Sequence, residues 1–83
     1  MKQSEIKVGH VYVNANRDYY RVVNSQGWPG EGIEHLVFVS DGYIKDNKFI
    51  CIDIPYHITK KSFAKWAKED VTEKLSGIEY LKE

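Results

Sequence analysis

Short apolar runs rich in Val, Ile, Tyr and Phe recur along the chain, separated by polar or Gly- and Pro-containing breaks. That is the signature of strands joined by turns. Lys7-Val8-Gly9-His10-Val11-Tyr12-Val13 reads as a lead-in and first strand, with Gly9 marking a bend at its entrance. Asn14 to Asp18 is a polar break, and Tyr19 to Asn24 is a second strand close enough to pair as a hairpin. Its Tyr20 and Val22 share one face, and Tyr19, Arg21 and Val23 share the other. Ser25 to Gly32 holds three of the six glycines and one of the two prolines, so it reads as a loop. A third strand is expected at Glu34–Val39, with a turn at Asp41-Gly42 whose connection Tyr43 to Asn47 extends. The fourth, Lys48–Ile54, stops at Pro55, with Ile50, Ile52 and Ile54 on one face.

After Pro55 the period lengthens. Thr59 is the expected N-cap of a helix from Lys60 to Lys68. Phe63, Trp66 and Ala67 fall on one side of it, with Lys61, Lys65 and Lys68 on the other. The segment after the helix has two readings. Leu75, Ile78 and Leu81 form a weak helical stripe interrupted by Ser76-Gly77, or Val71 lies in a closing strand. The expected fold is mainly β with one helix (α+β). It is either a small SH3-like antiparallel barrel, whose closure removes exposed edges, or a strongly bent sheet of four to five strands. One domain spans residues 1–83, with a core over about 7–71 and a tail at 72–83.

Composition bears on function mainly by exclusion. The chain has 83 residues, 12 basic and 12 acidic, for a net charge of zero. A long duplex footprint normally needs a basic excess, so that role is disfavoured. No apolar run approaches the roughly 20 residues of a membrane helix, and residues 1–5 do not open a signal peptide. The expectation is a cytoplasmic protein without membrane contact; a single cysteine, Cys51, precludes an intrachain disulfide and suits a reducing compartment. A domain this small buries about 60% of its chain surface, so its stability rests on a few large side chains.

Candidate chemistry is sparse. His10, His35, His57 and Cys51 form no local pair of the kind metal sites use, so neither metal nor cofactor is expected. Cys51, flanked by isoleucines, reads as a buried small hydrophobe and not as a nucleophile paired with His57. The glycines around Trp28-Pro29 match no phosphate-cradling spacing. Catalysis is therefore not expected.

Two features point to binding. The first is Trp28-Pro29, an aromatic in a Gly/Pro loop, either exposed as a contact or folded back as a lid. With Tyr19, Arg21 and Tyr56 it makes the candidate partner-binding set. The second is a local basic face: Lys60, Lys61, Lys65 and Lys68 occur without an acid among them, although residues 29–58 hold two basic and five acidic side chains. The plain meaning of such a face is solvation. Its functional meaning is contact with an acidic surface or, with Arg17, Arg21 and the tyrosines, with single-stranded nucleic acid.

The order of short motifs resembles uncharacterised accessory proteins of lambda-like phages and prophages. It comprises Gly9…Tyr12, Tyr20-Arg21-Val22, Val37-Phe38-Val39 with Gly42-Tyr43, a strand with Cys51, and Ser62-Phe63-Ala64-Lys65-Trp66. The likeness spans about residues 7–71, and the Trp28-Pro29 loop and the tail depart from it. It implies context and no particular activity: a protein in the host cytoplasm that binds a host or phage protein, for instance to inhibit a host defence. Two alternatives remain, a nucleic-acid-binding module and a nucleotide binder with a pocket near Trp28, His35, Tyr56 and His57. If Phe49–Ile54 is an edge strand, it leaves room for pairing with a second copy.

Overall fold

The computed structural model describes residues 1–80. Among these residues seven strands and one helix occur in the order β1 (Val11–Val13), β2 (Tyr20–Gln26), β3 (Leu36–Lys45), β4 (Lys48–Cys51), β5 (Tyr56–Thr59), α1 (Lys60–Trp66), β6 (Glu69–Asp70) and β7 (Gly77–Tyr80). Short 3₁₀ turns sit at Gln3–Glu5 and Thr72–Lys74. The strand path is β6-β1-β2-β3-β4-β7, and β5 pairs with β3 off that path.

The mainly β class with one short helix is as expected, but the sheet differs from the expectation in three ways. It has seven strands, and it is mixed, because β7 runs parallel to β4 while the other pairs are antiparallel. It is not closed: among the described residues the end strands β6 and β7 are joined by the chain through Val71–Ser76 and not by a ladder of hydrogen bonds.

The largest local correction concerns Asp41-Gly42, which lies inside β3 and makes no turn. The reversal comes at Asp46-Asn47, both with positive φ (52° and 62°), between the paired Lys45 and Lys48. Asp and Asn tolerate that left-handed geometry, and a two-residue turn of this hand matches the twist of its strands. The strand expected to reach Ile54 ends at Cys51. There the chain leaves β3, with Ile52 N–H donating to the Asp41 carbonyl at 3.1 Å, and rejoins it as β5. Pro55, lacking an N–H, sits in this interruption. Ile52 and Ile54 consequently share no buried face, and Ile54 is 84% exposed. β4 itself is flanked by β3 and β7, so it is not an edge strand.

Both faces of the sheet are apolar. Adjacent residues of β1 and β2 point to opposite sides, and each side has its own core. Tyr12, Val23, Val37 and Val39 pack under Phe63, Ala64 and Ala67 of the helical segment. Val11, Val13, Val22, Phe49 and Cys51 pack on the other side with Val71, and Leu75 and Ile78 lie against them. This double burial explains why β1 is apolar at every position, with Val11, Tyr12 and Val13 all buried. Phe38, in the middle of an apolar run of β3, is only half-buried, with its ring edge against His57.

The helix begins as expected, with the Thr59 hydroxyl accepting from Ser62 N–H at 3.1 Å. It ends at Trp66, two residues earlier than the periodicity suggests. Lys68 N–H is captured by the Val13 carbonyl at 2.9 Å, which starts the pairing of β6 with β1. Of the two readings of the tail, pairing next to Val71 is found. The helical stripe is not: Ile78 lies in β7, and Leu81 falls outside the described residues.

Candidate functional site

The Trp28 loop is held by its base. Gly27 N–H donates to the Leu36 carbonyl at 3.0 Å, and the Gly27 backbone lies so close to the Ile33 carbonyl that a Cβ there would collide with it. Only glycine permits this approach. Beyond that pinch, Trp28 is 71% exposed, and Pro29 is exposed beside it. The side chain is therefore no lid on a core. With Val8, Ser25, Gln26 and Gly27, these two residues line a shallow depression of about 380 Å³.

The other residues of the expected partner-binding set lie elsewhere. Arg21 and Tyr56 do meet, five residues along β2 from Gln26 (roughly 15 Å at the usual rise per residue). The Arg21 Nε donates to Asp41 Oδ1 at 2.9 Å, and the Tyr56 hydroxyl donates to the same oxygen at 2.8 Å. The Arg21 guanidinium also lies over the Trp66 ring, 4.4 Å from its centroid. Asp41 N–H in turn donates to Asp53 Oδ1 at 2.9 Å, fixing the Ile52–Pro55 interruption. Tyr19 is exposed and takes no part.

This network couples three half-buried groups, Arg21, Asp41 and Tyr56, to the exposed Asp53. Burial pushes the Tyr56 phenol up to about 12, and its bond to Asp41 adds to that while Arg21 opposes it. Burial raises the Asp53 carboxyl too, against the bond from Asp41 N–H, with the Asp41 charge as a further cause. For Tyr56 the sign is that of a raised acid. Its contribution to stability is fully present below about pH 10, the ordinary phenol value, and is lost as pH rises towards about 12. A spectrophotometric titration of wild type minus Tyr56→Phe should show one phenol ionising well after the ordinary tyrosines. A difference curve centred near the ordinary phenol value contradicts the geometry.

The local sequence pattern gives Asp41 and Asp53 no site, because Asp41-Gly42 reads as a turn. Continuing the period-two alternation of β3 past Val39 puts Asp41 on the face of Val37 and Val39, and that is the signal that points to it.

The nucleic-acid set divides as well. Arg17 is bound to Glu69 at 2.7 Å, and Glu69 also accepts from Lys74 at 2.6 Å. Lys61, Lys65 and Lys68 are exposed and Lys60 is half-buried, and no ion pair among the described residues includes them. The tyrosines do not form one platform: Tyr20 packs against the face of Val22, whereas Tyr56 packs on the helix side. The small-ligand set is likewise not gathered, since Tyr56 and His57, adjacent in β5, point to opposite faces.

Cys51 is buried, its thiol directed to the Asp53 carbonyl at 3.4 Å. A second titratable pair joins β1 to β6. His10 Nδ1 lies 2.6 Å from Asp70 Oδ2, while Thr72 N–H donates to Asp70 Oδ1 at 3.0 Å. Burial raises the Asp70 carboxyl, but the bonds from Thr72 and His10 outweigh it and hold it below the ordinary range. Among the described residues no group of His, Cys, Asp and Glu converges as a metal site, and no helix is long and apolar enough to cross a membrane.

No protein-family model, curated protein or solved structure matches this chain.

Proposed function

We propose that this protein is a non-catalytic binding module whose contact is the Trp28-Pro29 loop. One observation carries the reading: a tryptophan held out from a glycine-pinned base, 71% exposed, beside an apolar depression. An indole left in water adds little to folding. When a partner covers it, the same area contributes strongly, which is why tryptophan dominates many interfaces. The base of the loop is fixed at Gly27, which lowers the conformational entropy lost there on binding.

On this reading the partner is another protein. The resemblance to phage accessory proteins makes a host or phage protein the class to test, with inhibition of a host defence as one mode of action and the host cytoplasm as the setting. The fold would then be an SH3-like barrel left open between β6 and β7.

The experiment compares wild type with Trp28→Ala for retention of partners from lysate, each followed by measured affinity. The substitution is expected to cost at least about 2 kcal/mol of binding, roughly thirtyfold in affinity. Folding stability should change by no more than about 0.5 kcal/mol, because the side chain is exposed. A partner held equally well by both proteins removes the loop from the interface.

A further inference from the structure

We infer that the outer face of α1 docks an acidic polypeptide segment, rich in Asp and Glu, of a protein partner. This rests on the reading of the protein as a protein-binding module, but not on the Trp28 loop as its contact. The charge on this face is greater than the helix alone supplies. The N-terminal 3₁₀ turn packs against α1, with Met1 N–H donating to the Ala64 carbonyl at 3.2 Å. That contact carries exposed Lys2 to the same region as Lys60, Lys61, Lys65 and Lys68. Lys61 and Lys65 are one helical turn apart and so share a face.

The nearby carboxylates reduce this positive charge without cancelling it. Glu5, in the 3₁₀ turn, accepts the Lys2 backbone N–H at 2.9 Å and keeps its charge, as does exposed Glu34 beside His35, whose carbonyl accepts Lys60 N–H at 2.7 Å. Glu69 is held by Arg17 and Lys74, and its carboxyl is lowered by those bonds. Asp70 is held by His10 and Thr72. Elsewhere on this neutral chain Arg17, Arg21, Lys48 and Lys74 all have internal acidic partners. Apart from Lys7 and Lys45, the described cations outside those ion pairs belong to this one region, and the complementary partner is anionic.

Three observations favour a polypeptide over a nucleic acid. Both arginines, whose planar forks suit phosphate and base edges, are engaged internally. The aromatics of α1 are withdrawn from the surface: Phe63 is buried, and the Trp66 ring is covered by Arg21. No stacking platform therefore stands beside the lysines. A helix of seven residues is also only about 10 Å long, enough for a short acidic stretch and not for a long strand.

The test uses two probes of equal charge, a synthetic Asp/Glu peptide and a single-stranded oligonucleotide, with fluorescence anisotropy as the readout. Wild type should bind the peptide at low salt and lose affinity as salt rises, because exposed charges are screened. The double variant K61E/K65E, checked for native circular dichroism, should bind the peptide roughly tenfold more weakly or worse. Trp28→Ala should bind it as wild type does. Tighter binding of the oligonucleotide overturns the inference in favour of nucleic acid. No peptide binding, or equal binding by K61E/K65E, overturns it in favour of a merely solvated face. Either result leaves the Trp28 reading standing, since that depends on a separate variant and on the partner itself.

Discussion

Phe63→Ala should destabilise the fold by about 3–5 kcal/mol. A domain of 83 residues has a net stability of roughly 4–12 kcal/mol, so this one substitution removes a large part of it or all of it. Phe63 is 0% exposed, edge-on to Tyr12 at 5.5 Å between centroids and tilted against Trp66 at 5.4 Å. Tyr12 extends the consequence to the N-terminus, because its hydroxyl donates to the Glu5 carbonyl at 2.9 Å and accepts from Lys7 N–H at 2.8 Å. A cavity under the helix therefore loosens the segment that carries Lys2 as well. Urea unfolding measures the loss, and Phe38→Ala is the control. Phe38 is only half-buried, so it should cost distinctly less. Equal losses at the two positions contradict the packing described for the helix side.

Gly42→Ala is the second large effect, and its sign separates two views of the same residue. In a surface turn or an open strand, alanine in place of glycine is neutral or slightly stabilising, because glycine loses more freedom on folding. In β3 a Cβ at residue 42 would meet the Ile50 carbonyl oxygen and the Phe49 ring. The carbonyl belongs to the backbone of β4 and cannot rotate away, so the strands must separate or Phe49 must leave its place. The expected loss is about 2 kcal/mol or more. Part of it should be relieved in a Phe49→Leu background, where the ring is gone, giving a coupling energy readable in a double-mutant cycle. An alanine variant as stable as wild type would place Gly42 back in a turn.

Gly42 also marks a point where local pattern misleads. Asp-Gly is a strong local turn signal, whereas the alternation of Val37, Val39 and Asp41 is a weak one. The stronger local cue loses because the neighbouring Asp46-Asn47 pair supplies a turn in register with β4. The same holds for the site. An exposed Trp28 is legible as one of two outcomes, since glycine and proline rule out regular structure around it. What holds it out, the contact between Gly27 and Ile33, joins residues whose approach no local pattern records. Arg21 and Tyr56 are legible as polar and aromatic contact residues, but the carboxylate that unites them is not, because its position depends on β3 being continuous.

The chain's own pattern is sufficient for the β class, the Thr59 cap, the burial of Phe63 and Ala67, the buried Cys51 and the exposed Lys61–Lys65 pair. Each depends on neighbours within a few residues, where period and capping chemistry act directly. Tertiary structure alone decides the parallel β4–β7 pair, the break after Cys51, the open ends at β6 and β7, and the arrival of Lys2 beside α1. Each of these is set by backbone hydrogen bonds or packing between segments far apart in the chain. Every strand offers the same donors and acceptors, so its partner is selected by which faces the whole fold buries.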